Sequence, residues 1–438
     1  MKKDSRGQPR RIFNNFSAIA VIIGIVVGIG IFRLPSMVAQ NAASELHYLS
    51  FWIAGGIISI IGALCYAELA SAKPDAGGEY FFLTKAFGPG TGFLFSWGRM
   101  TVIQTGSITL AAFILGDYAS VIYDLGTYSS SIYAGITVVG LTALNIIGTG
   151  PSKNIQTAMT SIIVVVLLLA GLAGVLTGFS AEPIQAASDS GVTTSAGAAM
   201  IFVLLTYGGW NEGVYLSAEI KDVRKNISRV LLLSLATITV LYVLINCAYI
   251  QLIGLETLRN SDTIGVSLSN KIIGSGGSFA MAVLIVISAL STANATIITG
   301  ARTNYALGRD FPLLKLLGRW NHTNNTPVNA LLLQGFIAFG LVILGSFTKE
   351  AVSTMVDYTA PVFWFFIFLT TVSLFVFRKD PNHQLSFKVP FYPLTPLLFM
   401  IVCLYLLYSS VVFTGWGALV GILILLLGLP VYYFAQNR

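Results

Sequence analysis

Two glycine-interrupted stretches carry the chemistry this sequence offers: Gly28-Ile29-Gly30-Ile31-Phe32 and Thr206-Tyr207-Gly208-Gly209-Trp210-Asn211-Glu212. Glycine in a helix interior costs about 1 kcal/mol relative to alanine, so each glycine pair weakens a helix near its centre. Backbone that unwinds in an apolar surround leaves N–H and C=O groups without partners. These are tolerated only where they line a cavity or meet a ligand. Such a segment presents amide donors on one side and carbonyl acceptors on the other. A zwitterionic amino acid needs both, the donors for its carboxylate and the acceptors for its ammonium. The positive end of a half-helix adds attraction for the carboxylate. The same first stretch permits a second reading, because Gly24 and Gly28 form a GxxxG pair of the kind that lets two helices pack closely.

No other constellation competes. His47, His322 and His383 are far apart, and Cys65, Cys247 and Cys403 fall in apolar stretches, so neither zinc-like spacing nor a disulfide framework is present. No convergent set of titratable groups suits an enzyme, and no cofactor or metal is expected.

The elements that must position the two stretches follow from composition. The 438 residues are 55% hydrophobic and 10% charged, against about 25% charged in a soluble domain. A chain so poor in charge has no polar coat and belongs in a bilayer. Twelve apolar segments reach the length of about 20 residues that spans hydrocarbon: 16–42, 49–72, 88–122, 132–150, 154–179, 197–219, 227–255, 276–305, 328–347, 352–377, 395–414 and 416–435. They are long and unalternating, which argues for helices over a barrel.

Orientation follows from lysine and arginine. With the N-terminus inside, 18 of the 25 lie in cytoplasmic segments, while Arg259, Lys271 and Lys349 fall outside. This bias predicts cytoplasmic termini and an even number of spans. The net charge of +7 is then a topology signal spread over short loops, and nucleic-acid binding is not indicated. Segments one and six hold corresponding positions if spans one to five and six to ten are repeats of opposite orientation. Interrupted helices at matching positions of two halves point to a transporter binding site.

Several motifs, in order along the chain, resemble one family. These are Val26–Phe32 (GxGIF), Cys65–Pro89 (YAEL…P-x-x-GG-x-Y), "YGGWN", Ser217–Val230, "GARTNYALGRDFP", "TPVNAL" and Phe387–Pro396. The sequence resembles the amino acid permeases of the amino acid–polyamine–organocation superfamily, close to the L-type transporter and bacterial serine/threonine exchanger branch. The resemblance implies an all-α membrane protein with 12 transmembrane helices. Ten would form an inverted five-plus-five repeat of the leucine-transporter type, with helices 1 and 6 broken and two peripheral helices. The organisation it suggests is a tail 1–15, repeats 16–179 and 197–377, and peripheral helices 395–435. It implies that Gly28, Ile29, Gly30, Ile31 and Phe32 contact the substrate carboxylate, and that carbonyls near Leu205, Thr206 and Gly208 receive the ammonium. Trp210 and Asn211 would lie at the sixth-helix break.

The sequence departs from this pattern in places. The outer aromatic gate position holds Leu205, with Phe202 one turn earlier. The lysine that many sodium-independent relatives carry deep in helix five is missing, and Lys153 stands instead at that helix's start. Val223 and Ser228 replace the prolines of the loop after helix six. Relatives line a cation site where Asn294 and Thr296 fall. Glu212, an acid at bilayer depth, is a functional candidate for proton coupling. The expectation is a plasma-membrane carrier of small neutral L-amino acids, with H+ or Na+ as coupling ion. A polyamine or organic-cation carrier, or a non-transporting receptor on the same scaffold, are the alternatives. Eukaryotic light subunits of this branch join a partner through a cysteine between helices three and four. Tyr123–Tyr133 has none, so no disulfide-linked partner subunit is expected.

Overall fold

The computed structural model describes residues 11–28, 30–178, 196–260, 264–274, 276–347, 351–380, 386–414 and 416–436. Among these residues the secondary structure is helical, apart from two single-residue bridges, Phe13 with Ile220 and Asn321 with Thr326. Among the described residues ten helices are long and apolar enough to cross a membrane, and the protein is a multi-pass membrane protein.

The first helix, α1 (Asn15–Val26), is capped by Asn14, whose side chain accepts the Ser17 N–H at 2.8 Å. After a break comes α2 (Gly30–Gln40). Next are α3 (Glu45–Ala72), α4 (Glu79–Phe87), α5 (Pro89–Ile122), α6 (Ser129–Ile147) and α7 (Thr149–Gly178). The second interrupted element is α8 (Ala196–Thr206), then a turn, then a 3₁₀ helix, Trp210–Leu216. The chain continues through α9 (Val223–Ile253), α10 (Leu255–Arg259), α11 (Ile264–Ile273), α12 (Gly277–Asp310), α13 (Val328–Gly345), α14 (Ala351–Arg378) and α15 (Leu394–Thr414). It ends with α16 (Trp416–Leu426) and α17 (Gly428–Gln436).

The predicted segments 16–42 and 197–219 are therefore each two helices. Short α4, α10 and α11 fall between predicted segments, because a search for spanning length passes over a helix of 5 to 10 residues. Helices α9 and α12 begin or end several residues beyond their apolar stretches, since a helix continues into water where hydropathy has already fallen. The last apolar segment is divided again at Leu427.

Among the described spanning helices α12 is the most deeply buried. Its polar side chains form a layer with α6 and α7. Asn294 Nδ2 donates to Gln156 Oε1 at 2.9 Å, Asn145 Nδ2 donates to Asn294 Oδ1 at 2.8 Å, and Gln156 Nε2 donates to Ser291 Oγ at 2.7 Å. Hydrogen bonds of this kind hold helices together where hydrocarbon supplies no hydrophobic drive. Gly24 of α1 lies directly on this layer. A Cβ there would stand 2.2 Å from Gln156 Nε2 and 2.5 Å from both Ser291 Oγ and Thr160 Oγ1. The packing reading of Gly24 thus applies, with a polar layer as the partner surface.

Both ends of the bundle are tied by charge. Arg259 Nε and Nη2 donate to the carbonyls of Ala39 and Ala42 at 3.1 and 2.7 Å. A cation there suits the negative end of α2. At the opposite end, where most basic residues collect, Phe13 N–H donates to Glu219 O at 3.1 Å and Lys221 N–H to Phe13 O at 3.0 Å. Glu219 pairs with Arg302, and Glu68 takes Arg378 Nε and Nη2 at 2.6 and 2.5 Å.

Gly24→Ala is expected to destabilise the protein by about 1–3 kcal/mol through overpacking, seen as a lower thermal unfolding midpoint of the purified protein. Gly140→Ala on α6, with nothing within 4 Å of its Cβ position, is the control and leaves the midpoint unchanged or raised.

Candidate functional site

The two breaks face each other. Helix α1 stops at Val26, and Gly28 N–H turns back onto Val26 O at 2.8 Å. Ile29 lies outside the described residues. Helix α2 then starts at Gly30, and its first N–H groups have no carbonyl of their own helix to bond. Helix α8 ends at Thr206. Gly208 N–H bonds Leu205 O at 3.1 Å, and Gly209 takes a φ of 103°, a left-handed turn that a side chain would strain. A Cβ on Gly30 would stand 3.2 Å from Thr206 Cγ2 and 3.3 Å from Thr206 Cα, and one on Gly209 would meet Ile25 Cγ2 at 2.6 Å. The amino end of α2 therefore abuts the carboxyl end of α8. Positive and negative half-helix ends stand side by side, a field that matches a zwitterion.

The carbonyls freed at the breaks find side-chain partners. Tyr242 of α9 places its hydroxyl 2.9 Å from Val26 O and 3.2 Å from Thr206 O, so its one proton serves either break. Ser288 and Thr292 of α12 donate to Val27 O at 2.8 Å and Gly24 O at 3.0 Å. Tyr249 approaches Ile31 O at 3.3 Å. The sequence reading missed these residues. A tyrosine or serine in the middle of an apolar span was the available signal, but nothing in the sequence says which carbonyl it meets. Tyr242 is fully buried and packs edge-on against Tyr207 and Trp52, with ring centroids 5.0 and 6.0 Å away.

The remaining predicted residues separate into groups. Ile31, Phe32 and Thr206 are buried at the breaks, whereas Leu205 is 40% exposed. Thr206 Oγ1 donates to Phe202 O at 2.8 Å. Trp210 packs against Tyr66 and Phe399, centroids 5.1 and 6.1 Å away. Asn211 Nδ2 lies 3.3 and 3.4 Å from the Glu79 carboxylate oxygens. Glu212 is held by both nitrogens of the Arg99 fork, Nη1 at 2.8 Å and Nη2 at 2.5 Å. Arg99 opens a π-helical turn in α5, Arg99–Ile103, a feature frequent at functional sites. Asn294 belongs to the polar layer, and Thr296 O accepts Gln104 Nε2 at 2.6 Å. Lys153, at the start of α7, donates to the Ile12 carbonyl at 3.4 Å. Among the described residues no group of three His, Cys, Asp or Glu side chains could hold a metal ion. The three cysteines are free, on α3, α9 and α15.

Tyr242→Phe should leave the buried Thr206 carbonyl without its side-chain donor and Val26 O with the Gly28 N–H alone. The expected cost is about 1–3 kcal/mol, read as a lower thermal midpoint. An unchanged midpoint would mean those carbonyls are satisfied without it.

Known proteins share this arrangement of sequence. The chain is 29% identical to the b(0,+)-type amino acid transporter 1 of Mus musculus, over 95% of this chain and 86% of that one. It is 27% identical to the cystine/glutamate transporter of Homo sapiens, over 97% and 85%. It is 25% identical to the serine/threonine exchanger SteT of Bacillus subtilis (strain 168), over 96% of both. The family model described as amino acid permease matches residues 13–435, and this chain belongs to that family.

Proposed function

We propose that the protein moves small neutral L-amino acids across the plasma membrane by alternating access. It is an amino acid transporter and not an enzyme. The observation that carries the substrate site is the contact between Gly30 and Thr206. Amide donors at the start of α2 would take the substrate carboxylate, and carbonyls at the end of α8 would take its ammonium. These α-groups are common to all amino acids. Side-chain selection falls to residues around the breaks, where Phe32, Trp210 and Leu205 offer apolar surface.

The reading includes twelve spans, α1–α2 being the first and α8 with its 3₁₀ helix the sixth. Residues 16–179 and 197–377 are the two inverted repeats, and α15 to α17 are peripheral. The basic end is cytoplasmic by the positive-inside rule. The Glu219–Arg302 pair and the Phe13 bridge tie that end together, so they must part when the site opens inward. The organic-cation alternative loses support from Glu212, whose carboxylate is already engaged by Arg99. The chain is read as acting without a disulfide-linked partner subunit.

Counterflow of labelled amino acids in proteoliposomes, across a panel and with or without sodium, tests the reading. Small neutral substrates should exchange and polyamines should not. Absence of counterflow with every amino acid would favour a receptor. Gly30→Val pushes two methyl groups into Thr206 and is expected to cut uptake about tenfold or more. Undiminished substrate affinity in a folded Gly30→Val protein would remove the breaks from the binding site.

A further inference from the structure

Glu79 opens α4 in the connection between α3 and α5, and it is 2% exposed. Its carboxylate accepts hydrogen bonds from three side chains. Tyr66 Oη donates to Oε1 at 2.5 Å, the Tyr215 hydroxyl donates to Oε2, and Asn211 Nδ2 lies 3.3 and 3.4 Å from the two oxygens. Arg99 Nη1 stands 4.0 Å from Oε2. That guanidinium is committed elsewhere, however. Its two terminal nitrogens hold Glu212, its Nε donates to Thr303 Oγ1 at 3.0 Å, and its plane lies over the Tyr215 ring at 4.0 Å.

The charge count does not close. One guanidinium faces two carboxylates, and all three side chains are more than nine-tenths buried. With both acids ionised, one negative charge stays uncompensated away from water, a costly state. A proton removes it. Glu212 has both oxygens in the arginine fork, so the proton belongs on Glu79. The neutral acid then needs an acceptor for its O–H. Asn211 Oδ1 is buried without a hydrogen-bond partner, on the amide that already touches Glu79. Turning that amide about its last torsion exchanges Nδ2 for Oδ1. One side chain thus donates to the ionised carboxylate and accepts from the neutral one.

We propose that Glu79 is an exchangeable proton-binding site that links proton uptake from the cytoplasmic side to movement of the 3₁₀ half of the broken helix. Asn211, Glu212 and Tyr215 belong to that half, whereas Tyr66 and Arg99 belong to α3 and α5. Hydrogen bonds to an ionised carboxylate are about twice as strong as neutral ones. The charged form clamps the half-helix to its neighbours, and protonation loosens it. The titratable groups facing Glu79 are Tyr66, Arg99, Glu212 and Tyr215. Burial raises the Glu79 carboxyl above the ordinary range against the opposing pull of Arg99, so falling pH fills the site.

The consequence for transport rests on the carrier reading above, but the proton site does not. Infrared difference spectra of the wild-type protein should show a carboxylic-acid carbonyl band that grows on acidification and is missing from Glu79→Gln. In proteoliposomes the wild-type counterflow rate should change severalfold as pH on the cytoplasmic face is stepped from acidic to mildly alkaline. Glu79→Gln should flatten that profile. Tyr66→Phe, which removes a donor to the ionised form, should shift its midpoint to higher pH. A flat wild-type profile, a pH dependence that persists in Glu79→Gln, or an infrared band that survives in it overturns the proposal. A missing band would still be read if counterflow failed, so the two readings fall separately.

Discussion

Backbone that leaves the helix at membrane depth must find new partners for its peptide groups, and the rest of this structure is arranged around that requirement. Hydrocarbon supplies neither donors nor acceptors. The carbonyls of Gly24, Val26, Val27 and Thr206 are met instead by Thr292, Tyr242 and Ser288. Helix α9 therefore braces both breaks, and α12 braces the first. The bracing serves the carbonyl side of α1, while the amino end of α2 keeps the N–H groups that no helix of its own can satisfy. A substrate site built from main chain, as proposed above, would be indifferent to the substrate's side chain, which fits a family whose relatives include b(0,+)-type, cystine/glutamate and serine/threonine transporters.

Charge is handled by the same rule at higher cost. Among the described residues three deeply buried acids are each matched to an arginine from a distant part of the chain, Glu68 with Arg378, Glu212 with Arg99 and Glu219 with Arg302, whereas Glu79 has only the more distant side of Arg99. A buried pair stabilises little beyond its own desolvation, but breaking one leaves a charge stranded. Glu212 and Glu219 tie the 3₁₀ segment and its exit to α5 and α12, and Glu68 ties α3 to α14. On the alternating-access reading proposed above, these connections must either move together or exchange partners.

Much of the architecture was legible beforehand. The breaks predicted at Gly28 and Gly30 and at Gly208 and Gly209 correspond to the gaps between Val26 and Gly30 and between Thr206 and Trp210. Glycine's low helix propensity acts locally, so its effect can be read locally. Other expectations had no such local basis. Asn294 and Thr296, assigned to a cation site through family resemblance, make hydrogen bonds to Gln156, Asn145 and Gln104. Glu212 read as a lone acid because its partner is more than a hundred residues away, and Glu79 was read only as part of a motif.

The sequence by itself determined the class of protein, the positions where its helices fail and the orientation its loops favour, because hydropathy, glycine spacing and lysine–arginine bias each act through nearest neighbours and the bilayer. Only the tertiary structure decided that Tyr242 bridges the two breaks, that Gly24 rests on a polar layer, and that Arg99 stands between two carboxylates. Those outcomes depend on which helix faces lie against one another, and a one-dimensional pattern of apolar residues is the same for every rotation of a helix that is apolar all round.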